Sequence, residues 1–148
     1  MKDRLVAGGV GGAIAGIIQY GYGLLAKSLG LTDRIFGQFS EVVLSSRVYT
    51  GTLGIIVGIL SHLAVTVMFG VAFAYIIEKT SSRYLLIKAT GYALVLWFLL
   101  SGFGTIFSLP LFEDIPPQPA LVTLIGSFVY SIILAVTLKL FDNKTSLL

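Results

Sequence analysis

The chain has 148 residues, of which 56% are hydrophobic and 11% charged, and its mean hydropathy is +0.96. That leaves too little polar surface for a water-soluble domain of this size, so a bilayer environment is expected. Cysteine is absent, which rules out disulfides, thiolate nucleophiles, iron–sulfur clusters and Cys-ligated zinc. The formal net charge of +3 sits at segment ends without forming a basic run, so it predicts membrane topology and no nucleic-acid partner.

The first apolar segment spans residues 5–25, the length an α-helix needs to cross a bilayer. Its basic start, Lys2 and Arg4, also suits a signal peptide ending after Ala26, but the length favours a retained spanning helix. Gly8, Gly12 and Gly16 recur every four residues, which puts them on one side of a helix together with Gln19 and Gly23. In lipid, where little hydrophobic force drives helices together, such small-residue faces become the packing surfaces.

The connection "KSLGLTDRIFGQFSEVVLSSRVYT" is too long for a turn. Leu31, Ile35, Phe39, Val42 and Val43 recur at helical spacing, with Asp33, Arg34, Gln38 and Glu41 on the other side. An amphipathic helix over residues 31–44 is expected, lying in the outer interface and capped by Thr32. Gly37 inside it costs about 1 kcal/mol relative to alanine and marks a kink.

A second spanning helix is expected over residues 51–77. It carries His62, the single histidine of the chain, which falls within about 40° of Gly51, Gly58, Phe69 and Phe73 on the helical wheel. The third, over 86–109, has Trp97 near its middle. The following loop, "LPLFEDIPPQPA", reads as a stiff, solvated, polyproline-like segment. Its Glu113 and Asp114 are two solvated charges, because calcium needs more oxygen ligands than this pair offers. The fourth spanning helix is expected over 120–141; Tyr130 lies near its middle on a face with Thr123, Gly126, Ser127 and Ser131.

Lys2, Arg4, Lys79, Arg83, Lys88, Lys139 and Lys144 fall on one side of such a four-helix arrangement, and Lys27, Arg34 and Arg47 on the other. The positive-inside rule then makes both termini and the second loop cytoplasmic. With that orientation Gln19 lies ~6 Å, and His62 ~3 Å, outward of their helix centres. Together with Tyr130 and Trp97, whose O–H and N–H need partners in an apolar interior, they form the candidate ligand or proton pocket, with Ser61 and Thr66 close by. The same residues also suit plain hydrogen bonds between helices, each worth about 0.6–2 kcal/mol.

Several chemistries are disfavoured. No expected span has Asp, Glu, Lys or Arg in its interior, which argues against ion-coupled transport. One histidine falls short of the three protein ligands of a catalytic zinc. It also leaves haem without two axial ligands inside one chain, so a haem or quinone role requires an oligomer. Ser61 and His62 are adjacent and point about 100° apart, which does not make a nucleophile and base. "GGVGGAIAG" has neither the preceding strand nor the following lysine of a nucleotide loop.

Through "GLTDRIFGQF" and "SHLAVTVMFGVAFAYII" the chain resembles uncharacterised small four-helix bacterial inner-membrane proteins. The resemblance implies no activity; it implies the cell inner (cytoplasmic) membrane and draws attention to Asp33, Arg34 and His62. The expectation is therefore an all-α integral membrane bundle of four transmembrane helices plus one external amphipathic helix, non-enzymatic and without cofactor or metal. Gly8, Gly12, Gly16, Gly51 and Gly58 are its packing residues. It is expected to be an accessory subunit in a homo-oligomer or with other membrane subunits. The alternatives are a small channel or facilitator with a polar pocket around His62, and a haem- or quinone-associated subunit formed across an oligomer.

Overall fold

The structure is a computed structural model and describes residues 3–35, 51–108 and 115–145. They form four helices: α1 (Arg4–Ser28), α2 (Thr52–Thr80), α3 (Leu85–Ile106) and α4 (Pro117–Thr145). All four are long and apolar enough to cross a membrane, and the described residues include no strand. The helices alternate in direction. The start of α1, the α2–α3 turn and the end of α4 share one end of the bundle, the terminal end, where Arg4 Nε lies 3.4 Å from Glu78 Oε1. The α1–α2 and α3–α4 connections share the other, the loop end, where Gln118 Nε2 donates to Leu31 O at 3.2 Å.

The helix ends follow from local chemistry. Asp3 caps α1 by accepting from the Val6 N–H at 3.0 Å. The other end of α1 is closed by Gly30 at φ 71°: the Gly30 N–H bonds Lys27 O and the Leu31 N–H bonds Ala26 O, both at 3.0 Å. That is a Schellman closure, and its left-handed residue favours glycine. Between α2 and α3 the chain turns through Ser81–Tyr84, with φ 126° at Ser81 and 58° at Tyr84. Lys88 reaches back over this turn and donates to Thr80 Oγ1 at 2.9 Å and Ser81 O at 2.7 Å. Its ammonium therefore sits at the carbonyl end of α2, where the helix dipole favours a cation.

Two segments differ from expectation. Pro117, Gln118 and Pro119 form the first turn of α4 and are not a polyproline loop. The first amides of a helix have no acceptor within it, so proline loses nothing there and its fixed φ suits the helix. Residues 31–35 are not helical. Thr32 Oγ1 accepts from the Arg34 N–H at 3.1 Å in a tight local turn and caps no helix. The remainder of the expected external helix, 36–44, lies outside the described residues, as do Pro110, Glu113 and Asp114.

α1 packs along α2 and α4, and α4 packs along α3. The α1–α2 seam is backbone against backbone. A Cβ built on Gly8 would stand 2.7 Å from both Gly70 O and Val71 Cα, and one on Gly70 would stand 2.6 Å from Gly12 Cα. Gly12 meets Thr66 O and Gly16 meets the Thr66 side chain, so the expected glycine face is where α2 lies. Gly58 is buried. Gly51 packs against no other described residue: it precedes the first turn of α2 as its exposed N-cap, and a Cβ there would meet nothing within 4 Å. The α3–α4 seam is built on alanine, with Ala89, Ala93 and Ala135 fully buried. α2 and α3 meet through longer side chains, the Phe73 and Tyr92 rings lying 4.9 Å apart between centroids. The order around the bundle is therefore α2, α1, α4, α3.

Gly70→Ala forces backbone apart and should destabilise the bundle by at least about 1–3 kcal/mol, the usual cost of overpacking. Gly91→Ala, where a Cβ meets nothing within 4 Å, should be neutral or stabilising by up to about 1 kcal/mol. Unfolding in mixed micelles, followed by circular dichroism, reads both.

Candidate functional site

The middle of the bundle is organised around Thr66. Its carbonyl accepts the Tyr130 O–H at 2.6 Å, its hydroxyl donates to Leu63 O at 3.0 Å, and its side chain fills the space left by Gly16. One turn toward the loop end, His62 is 2% exposed and its Nε2 lies 3.0 Å from Gly16 O. A carbonyl only accepts, so this contact places the ring hydrogen on Nε2 and leaves Nδ1 as an acceptor. The His62 ring also leans on Tyr20, with centroids 5.9 Å apart.

The same arrangement recurs throughout. Gln19 Nε2 donates to Gly126 O at 3.1 Å, and the Tyr22 O–H to Val122 O at 3.2 Å. Trp97 Nε1 donates to Ala120 O at 3.2 Å and lies 3.3 Å from Thr123 Oγ1. The Tyr92 O–H donates to Phe69 O at 2.8 Å. With His62 and Tyr130, six side chains each donate to a main-chain carbonyl of a different helix. They link α2 to α1, α1 to α4 twice, α3 to α4, α3 to α2, and α4 to α2 across the bundle. Two of the acceptors, Gly16 and Gly126, have no side chain to cover the carbonyl.

His62, Gln19 and Tyr130, expected from sequence to meet, line one cavity with Thr66, Leu96 and Ser127. Its volume is about 20 Å³, room for about one water molecule. Trp97 is not in it. The indole lines a neighbouring cavity of about 40 Å³ toward the loop end, with Tyr22, Arg34 and Pro119. It sits there because its N–H is drawn to the first turns of α4. Leu100 and Ser127 belong to both cavities. Toward the terminal end, Phe73, Leu134 and Leu138 are fully buried and form a dry floor. Asp33 is exposed, 3.5 Å from Arg34 Nε.

Ser61 turns back on its own helix and donates to Val57 O at 2.7 Å, so it does not pair with His62. The described residues contain no group of three His, Asp or Glu side chains able to hold a metal. What this centre does chemically is pair most of its buried donors with main-chain carbonyls, with space left for a water; the buried Ser131 Oγ has no hydrogen-bond partner among the described residues. Sequence reasoning missed Tyr22, Tyr92 and the pivotal place of Thr66. The rule that flagged Trp97 and Tyr130, a polar tip in an apolar run seeking an acceptor, applies equally to both tyrosines.

Tyr22→Phe and Tyr92→Phe each remove one such link at constant shape and should cost about 0.6–2 kcal/mol. They act at different seams, so the double variant should equal their sum within about 0.5 kcal/mol. Trp97, the single tryptophan, reports the transition by fluorescence. In comparisons with protein-family models, curated proteins and solved structures, nothing matches this chain.

Proposed function

We propose that the chain is an integral protein of a bacterial cytoplasmic membrane, with both termini on the cytoplasmic side. On this reading it is a non-enzymatic accessory subunit that associates through the outer faces of its helices. One contrast carries this reading. Six polar side chains of the interior tie the helices to one another, while Gly21, Gly91 and Gly102 stand on the outside where a Cβ would meet nothing within 4 Å. Their lack of a side chain has no use within the chain. In a bilayer it lets a second helix approach closely. Gly91, Val95, Phe98 and Gly102 follow one another at helical spacing along α3, with Val95 and Phe98 52% and 70% exposed.

The orientation rests on charge: seven Lys and Arg residues at the terminal end against three at the loop end. Native mass spectrometry from a mild detergent should show a stoichiometric homo-oligomer or a partner chain. Gly91→Leu with Gly102→Leu should dissociate it without lowering the unfolding midpoint. A wild-type monomer without partners would overturn the proposal.

A second reading is a passage for water or a very small neutral solute. The observation in its favour is the pair of adjoining cavities running from the loop end to His62; the dry floor below opposes it. Osmotic flux into proteoliposomes should fall at least severalfold in His62→Phe, which fills the inner cavity. An unchanged rate removes this reading.

A further inference from the structure

A wide open space among the described residues lies away from the centre. At the terminal end, between the start of α3 and the last turns of α4, is a groove of about 710 Å³. Its walls are apolar, from Leu85, Leu86, Ala135, Val136 and Leu140, and its mouth carries Ser82, Tyr84, Lys139 and Asp142. Arg83 adjoins it, its guanidinium 4.8 Å from the centre of the Tyr84 ring.

We propose that this groove holds an anionic glycerophospholipid, one acyl chain along the α3–α4 seam and the phosphate at Lys139 and Arg83. The proposal rests on the membrane reading above and is independent of any protein partner. Two observations support the choice of occupant. The first is shape: an apolar trough that ends in a charged mouth at the end of a membrane-length helix matches a lipid lying along the bilayer normal, chain inward and headgroup outward.

The second is charge. Among the described side chains the terminal end carries Arg4, Lys79, Arg83, Lys88 and Lys139 against Asp3, Glu78 and Asp142, an excess of basic groups that favours an anionic over a zwitterionic headgroup. Not all of these cations are available. Arg4 is paired with Glu78 and Lys88 is turned onto the end of α2. Lys139 is exposed and lines the groove, and Arg83 is exposed over the ring of Tyr84, which lines it. Asp142 at the same mouth works against the phosphate, so both cations are needed for a net attraction. The α3 N-terminus adds to it, since Tyr84 provides no side-chain cap for the first amides.

The test uses the full chain, delipidated in a neutral detergent and offered equal amounts of a phosphatidylglycerol and a phosphatidylcholine of identical chains. The lipid retained is counted by native mass spectrometry. The wild type should retain phosphatidylglycerol preferentially by severalfold, and Lys139→Gln or Arg83→Gln should each cut that preference about fivefold. Lys139→Arg should keep it. Lys79→Gln, at the same end but outside the groove, should leave it intact. Equal retention of the two lipids by the wild type overturns the proposal. So does a Lys79→Gln effect as large as that of Lys139→Gln, which would mean diffuse surface charge in place of a site. Alkaline carbonate washing of the host membranes tests the membrane reading separately, since release of the chain would refute that reading before any lipid is added.

Discussion

The structure depends on the contact of two backbones. Where Gly8 and Gly12 of α1 meet Gly70 and Thr66 of α2, no side chain intervenes, and the two helices pack closer than Leu or Val would allow. That closeness decides the rest. It brings Gly16 O within reach of His62, and it places the Thr66 side chain in the hollow of Gly16, with the Thr66 carbonyl presented to Tyr130 from the opposite side. A wider α1–α2 seam would move His62 and Thr66 out of reach of their partners.

The other seams use progressively larger residues. Alanine lines α3–α4, and aromatic rings span α2–α3. A bundle built this way is asymmetric in section, tight along the α1–α2 edge and widest along the adjoining α2–α3 edge. Its small internal spaces together touch all four helices, the inner one lying mainly against α2 and the outer one mainly against α3 and α4. The polar side chains at these levels are hydrogen-bond donors whose acceptors are main-chain carbonyls. Such bonds tie one helix to the backbone of another without needing a second polar side chain, so each requires only one polar residue in an apolar stretch. This is economical for a chain with so few polar residues to distribute.

Much of this was legible in the sequence. Four apolar stretches of spanning length are readable directly; α1 and α4 extend the expected spans at both ends and α2 at its far end, while α3 stops at Ile106, short of the expected 109, because caps and turns, which hydropathy does not weigh, set the ends. The glycine period in α1 revealed the face that meets α2. Gln19, His62 and Tyr130 were identified as convergent because helical periodicity and depth together fix position to within a turn. What was not legible depends on helix order and pairing. Nothing in the sequence says that α1 lies between α2 and α4, so the carbonyl partners of Gln19 and Tyr22 were invisible. Trp97 was given to the wrong neighbours for the same reason. The "IPPQP" run misled because proline means opposite things in a loop and in the first turn of a helix. Gly51 misled because a wheel places residues by angle and ignores where the helix begins.

The position of α1 has a consequence for biosynthesis. It is the first helix to be made, yet its two flanks belong to the second and the last. As the chain emerges, α2 can close on the glycine face at once. The amide of Gln19 and the hydroxyl of Tyr22 have no carbonyl to donate to until α4 arrives, 107 and 100 residues of chain later. On the membrane reading proposed above, polar groups stranded in lipid are costly, so the half-made protein is held in an unsatisfied state that α4 resolves. The α1 flanks thus close only once α4 has been made, and a chain ended before α4 would expose α1 as unfinished.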